Sequence, residues 1–190
     1  MNKTNLEKRI YKAQCYGNVE PIEYMTPYPN LPALVEGQNV KYKDHLLYHD
    51  LDMTNEDFFK LVQKTTHWLK ASGTKPKDRV LISGIQFPWA ECIAFAVWTI
   101  GGTLVISNQD DYQTAKSLCK PKLTVQADIN VGKEINAFDE QFEPEFNANL
   151  QDEALIYWTN GKGIRLSHYN LLVNANGVQK KLDLFEQDTY

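Results

Sequence analysis

Tyr157-Trp158-Thr159-Asn160-Gly161-Lys162-Gly163-Ile164-Arg165-Leu166-Ser167-His168-Tyr169-Asn170 decides how this chain folds. Asn160-Gly161 stands between two apolar-rich runs, the pattern of a two-residue hairpin whose central residues both take φ > 0. Ala154 to Thr159 therefore reads as a strand and the residues after the turn as a second, shorter one. Ser167 reads as the N-cap of a helix from Tyr169 to Leu182. The turn amides then serve strand pairing, and Lys162 is left solvated at the edge.

Upstream of this hairpin, helices alternate with strands. Thr54 and Asp57 have capping-box spacing at the head of a helix from Asn55 to Ser72, and Gly73 sits where a helix ends in a left-handed residue. Phe58, Leu61, Val62, Thr65, Trp68 and Leu69 share one face of that helix, as core packing requires. Arg79 to Gly84 is a short apolar run of strand length. A helix follows with Pro88 near its first turn, apolar on nearly every side through Trp98, and Gly101-Gly102 lies just past its end. Thr103 to Ser107 is the next buried strand, Asp110 or Asp111 caps a short helix to about Cys119, and Lys122 to Val125 is a further strand. Continuous apolar strands alternating with helices predict an α/β fold, a mostly parallel sheet covered by helices on both faces.

Two regions break the alternation. Between residues 126 and 150, Phe138, Phe142 and Phe146 are spaced by four among acids, which fits either a helix or an extended excursion. Residues 1–35 carry Pro21, Pro27, Pro29 and Pro32 with weak periodicity and read as an irregular N-terminal arm. Asn39 to Tyr48 reads as a polar strand. Residues 36–190 form a single α/β domain.

At 190 residues, 43% apolar and 12% aromatic, the chain has enough material for one good core. The net charge of −4 is spread along the chain, so no basic stripe announces nucleic acid. The longest apolar run, Ile93 to Ile100, is too short to span a bilayer. Three well-separated cysteines, Cys15, Cys92 and Cys119, and no signal-peptide pattern at the N-terminus point to the cytoplasm. His45 and His49 stand four apart, but Leu46, Leu47 and Tyr48 between them suggest a strand, which would separate them. No Ser/His/Asp or Cys/His arrangement is apparent. His168 reads as a hydrogen-bonded residue at a helix start and Trp158 as packing. Asp50, Asp52, Asp110 and Asp111 read as caps rather than catalytic acids.

Three segments resemble the adenylate-forming (AMP-forming) acid ligases, the superfamily of acyl-CoA synthetases, luciferases and peptide-synthetase adenylation domains. Trp68 to Gly73 with Lys75-Pro76-Lys77-Asp78-Arg79-Val80 resembles that family's helix followed by G-V-K-P-G-D-R-V. Phe87-Pro88-Trp89 through Gly101-Gly102 is similar to its N-S-P-E helix ending in A-G-G. Ile156 to Thr159 and Gly163 to Leu172 match the two sides of its signature loop, Y-T-S-G-T-T-G-x-P-K-G-V-x-L-S-H-x-N. The resemblance covers residues 35–190 and implies the N-terminal subdomain of such a ligase. It implies ATP and Mg²⁺ as cofactors and a phosphate contact at Thr159, Asn160, Gly161, Lys162 and Gly163.

The departures bear on function. Aligned on Thr159-Asn160-Gly161 and Lys162-Gly163, the T-T-G-x-P block that supplies phosphate-binding amides and hydroxyls is missing. A phosphate cradle needs several amides pointing inward from a glycine-rich arc, more than five residues supply. The segments that hold adenine and ribose in the family, and its catalytic lysine, have no counterpart in the sequence. The expected function is therefore a truncated, degenerate ligase-like domain, not catalytic alone, that self-associates or binds a partner protein covering the truncated sheet. Two alternatives are the ATP-binding half of a split AMP-forming acid:CoA ligase, and a small-molecule binding module unrelated to ATP. The latter would use the crevice near Ser83-Gly84, Ser107-Asn108 and Thr159, at the carboxyl ends of the strands.

Overall fold

The computed structural model describes residues 28–183. Two compact units divide the chain, Tyr28–Tyr169 and a second made of Met1–Pro27 with Asn170–Tyr190. The first unit holds the sheet. The greater part of the proline-rich arm lies outside the described residues.

Where the sequence suggests the end of an irregular arm and then a strand from Asn39 to Tyr48, the chain forms helix α1, Leu31–Tyr42. The prolines mislead because Pro32 falls in a first turn, where a missing N–H costs nothing. Asn30 is the N-cap, its side chain accepting the Ala33 N–H at 2.9 Å. Leu31 and Val35, four apart, are the residues α1 buries. The strand shrinks to β1, Leu46–Tyr48, which pairs antiparallel with β2, Met53–Thr54, around a 3-10 turn at His49–Leu51.

Helix α2, Asn55–Ala71, starts on the expected capping box. Thr54 Oγ1 accepts the Asp57 N–H at 3.1 Å, and Asp57 Oδ2 accepts the Thr54 N–H at 3.0 Å. After β3, Arg79–Ser83, helix α3 runs Trp89–Ile100 and ends on Gly101 at φ 83°. A side chain on Gly102 would put its Cβ 2.9 Å from the Asp78 carbonyl oxygen, so the close return of the chain beside β3 requires glycine there. The remaining elements are β4 (Thr103–Ile106), α4 (Tyr112–Cys119), β5 (Leu123–Gln126), α5 (Val131–Ile135), β6 (Glu153–Thr159), β7 (Lys162–Ser167) and α6 (His168–Lys181).

The main sheet has five strands in the order β5-β3-β4-β6-β7. Its first four are parallel; β7 returns antiparallel along β6. Consecutive residues of β3 and β4 (Val80, Leu81, Leu104, Val105) are all buried, as a sheet covered on both faces demands. On one face Leu81, Val105, Ile156 and Trp158 pack with Tyr112, Ala115 and Cys119 of α4. The helical layer has its own cluster, in which Val35 of α1, Phe58 and Val62 of α2 and Cys92 of α3 meet. Trp98 ties this layer to the sheet by donating its indole N–H to the Ala154 carbonyl at 2.7 Å.

The three spaced phenylalanines are not one helix. Beyond α5 the chain has no regular structure up to β6 and is pinned to α2: Gln63 accepts the Phe142 N–H at 3.0 Å, and the Phe142 ring meets His67 edge-on at 5.0 Å. Lys77 and Lys120 hold left-handed backbone at φ 69° and 46°, where any residue but glycine costs about 1 kcal/mol.

Replacing Thr54 by Ala removes the reciprocal cap and should cost about 1 kcal/mol of stability. Leu69→Ala, in a fully buried position, should cost about 3 kcal/mol. Urea denaturation of both variants checks the order.

Candidate functional site

The five residues implicated by resemblance form the turn between β6 and β7. Thr159 and Lys162 face each other as the last pair of the ladder. Asn160 and Gly161 between them have φ 51° and 71°, the left-handed pair the sequence predicts. Gly163 lies beneath the Trp158 indole, so close that an added Cβ would sit 3.0 Å from the ring. Lys162 is exposed.

Asp111 completes this turn, and sequence reasoning missed it. It occupies the N-cap position of α4, but its side chain makes no capping bond. Instead, Asp111 Oδ1 accepts the Gly161 N–H at 2.9 Å, fifty residues away in sequence. The Asp111 backbone is fixed for this reach, since its own N–H donates to Asn108 Oδ1 at 2.7 Å. A charged acceptor on a backbone amide makes a short, strong bond. Its consequence for chemistry is direct. A turn amide of the kind that would face a phosphate is already taken by a carboxylate of the same charge sign.

The carboxyl ends of the strands carry the second candidate. Ser83 ends β3 and Ser107 follows β4; both are buried, and neither hydroxyl has a hydrogen-bond partner. A cavity of about 400 Å³ opens at Gly84, the residue after Ser83, lined also by Gln86, Trp89, Asp128 and Asn130 among others. Of the residues expected at this crevice, Gly84 lines that cavity, while Ser83, Ser107, Asn108 and Thr159 do not.

His168 starts α6 and is a structural acceptor. It is buried, and its Nδ1 accepts the Leu31 N–H at 3.3 Å. Burial pushes its pKa down from 6.5 to about 4, with Asp152 pulling the other way. Cys92 and Tyr48 are both pushed up to about 12, chiefly by burial, so neither is a nucleophile at neutral pH. Among the described residues, no group of three His, Cys, Asp or Glu side chains is placed to hold a metal ion. Among them too, no helix is long and apolar enough to cross a membrane.

No family model and no curated protein matches the sequence. Solved structures do match. A fatty acyl-adenylate ligase from L. pneumophila, in complex with acyl adenylate and pyrophosphate, has a TM-score of 0.71 at 19% identity, over 84% of this chain and 34% of that one. A long-chain-fatty-acid-CoA ligase from Archaeoglobus fulgidus has a TM-score of 0.63 at 17% identity, over 87% and 43%. The N-terminal subdomain of NpsA from Klebsiella oxytoca, in complex with 3-hydroxyanthranilyl-AMSN, has a TM-score of 0.65 at 16% identity, over 74% and 41%. The chain thus has the α/β fold of the N-terminal subdomain of AMP-forming ligases. It matches about a third to two fifths of the length of these three proteins.

Neutral His168 gives the fold a pH dependence. The folded state resists its protonation and the unfolded state does not. Its contribution is therefore complete above pH 6.5 and is lost as pH falls toward 4, by on the order of 3 kcal/mol. His168→Asn, which keeps an acceptor but cannot titrate, should flatten that slope in urea titrations between pH 6.5 and 4.

Proposed function

We propose that this chain is a ligase-like domain that does not form adenylates by itself and acts by association through the β7 edge of its sheet. The observation that carries this reading is the Asp111–Gly161 hydrogen bond, which puts a carboxylate against the turn that aligns with the family's phosphate loop. Adenylation needs preorganised positive potential where charge develops on the attacked phosphate. In the turn, Lys162 is the single cation, and it is solvated. The same carboxylate counts against the ATP-binding half of a split ligase.

The exposed edge supports the second half of the proposal. From Lys162 to Arg165, β7 is exposed residue after residue, and Ile164 presents 48% of its surface. An open strand with an apolar side chain is a template for pairing with a further strand. A second copy of this chain or a partner protein would supply it.

A small-molecule site at the carboxyl edge is the second reading. The unpartnered hydroxyls of Ser83 and Ser107 favour it, because buried polar groups are ordinarily satisfied. No nucleotide is required for that role.

Light scattering at micromolar concentration should find a dimer or larger assembly, and Ile164→Lys should return it to monomer without lowering Tm. Pyrophosphate–ATP exchange, assayed with a panel of carboxylic acids, should stay at background. A monomer at every concentration would sink the association, and exchange abolished by Lys162→Ala would sink the loss of catalysis.

A further inference from the structure

At the opposite rim of the sheet, around the amino ends of β3, β4 and β6, lies a cavity of about 700 Å³. Four cations line it: Lys77, Arg79, Lys120 and Lys122. Three carboxylates line it too: Glu153 pairs with Arg79 on the cavity wall itself, and Asp78 and Asp152 keep their charge while each accepts a backbone amide. Asp78 accepts the Lys75 N–H at 2.9 Å, Asp152 accepts the Asn149 N–H at 2.8 Å, and Glu153 pairs also with Arg165. Among the described residues, the ammonium groups of Lys77, Lys120 and Lys122 make no ion pair.

The backbone shows that this grouping of lysines is costly to build. Lys77 follows Pro76 in a tight turn closed by the Asp78 N–H on the Lys75 carbonyl, at the position where φ > 0 favours glycine. Lys120 ends α4 in the left-handed position where glycine is again the usual residue. Both strained lysines line the same cavity. Backbone hydrogen bonds hold all three lysines: the Lys77 N–H donates to the Gly101 carbonyl at 2.8 Å, the Lys120 N–H to the Lys116 carbonyl at 3.1 Å and the Lys122 N–H to the Arg79 carbonyl at 2.8 Å. Backbone strain held in place by surrounding hydrogen bonds gathers where a protein binds something.

From this geometry we infer a polyphosphate-binding site at the amino-end rim, with Lys77, Lys120 and Lys122 as its phosphate contacts. Lysine acts as a point charge on phosphate, and three such charges in one concavity match a chain of phosphates better than a single one. Phe146, Pro121 and the Arg79 stem offer an apolar wall beside them, where a nucleoside could rest. The site is separate from the β6–β7 turn, so it neither needs nor supplies adenylation.

The double variant Lys77→Gly, Lys120→Gly tests the proposal cleanly, because glycine relieves both backbones. It should raise Tm by about 2–4 °C while removing two of the three contacts. Titration calorimetry would use sodium tripolyphosphate and, separately, ATP without metal. The parent chain should bind tripolyphosphate with micromolar affinity that weakens steeply from 50 to 200 mM salt. The double variant should bind at least tenfold more weakly, and Lys133→Ala, a charge loss outside the cavity, should bind as the parent does. ATP tighter than tripolyphosphate would support a site that takes the nucleoside as well; equal affinities would support a site for the phosphates alone. No heat at millimolar tripolyphosphate overturns the inference, as does unchanged affinity in the double variant. Binding lost in Lys162→Ala instead would overturn it and would point to the β6–β7 turn.

Discussion

Two left-handed residues, Asn160 and Gly161, turn the chain through a tight hairpin, and Asp111 clamps that turn through the Gly161 amide. Because the turn is so short, β7 must run back along β6, in register from Thr159 and Lys162 to Leu155 and Leu166, with a shift before Glu153 and Ser167. The sheet therefore closes its parallel part with an antiparallel edge strand. His168, next after β7, is delivered to the Leu31 amide at the head of α1, which ties the first described helix to the end of the sheet. A longer glycine-rich loop would leave the turn amides free. Here one of them is held by a carboxylate, and the loop reads as a structural corner.

Much of the fold is legible in the sequence because its local signals agree with the tertiary result. The Thr54–Asp57 box, the Gly101-Gly102 stop and the Asn160-Gly161 turn each encode geometry within a few residues. The β3 and β4 runs are legible because a strand buried on both faces must be continuously apolar. Failures fall where the deciding contact is distant or the residue ambiguous. Asn39 to Tyr48 reads as strand, yet α1 depends on Asn30 as cap and on the burial of Leu31 and Val35 against other elements. The Phe138-Phe142-Phe146 spacing mimics a helix, but the rings pack individually against α2 and beside Gly101.

The site was half legible. The turn and the exposure of Lys162 follow from the residues themselves. Asp111 on Gly161 does not, since no local pattern links residues fifty apart and an aspartate before a helix reads as a cap. Likewise the gathering of Lys77, Lys120 and Lys122 appears once the amino ends of β3, β4 and β6 lie side by side. The two rims of one sheet thus differ: a carboxylate clamps the turn at one end, and at the other gather three lysines that make no ion pair among the described residues.

The most direct measurement is the Gly161 amide itself, followed by ¹⁵N-resolved hydrogen exchange and by its chemical shift during ATP addition. Held by Asp111, that amide should exchange slowly, lose its protection in Asp111→Ala and keep its shift as ATP is added. A freely exchanging Gly161 amide whose shift moves with ATP would contradict the account, for the turn would then be a phosphate site after all.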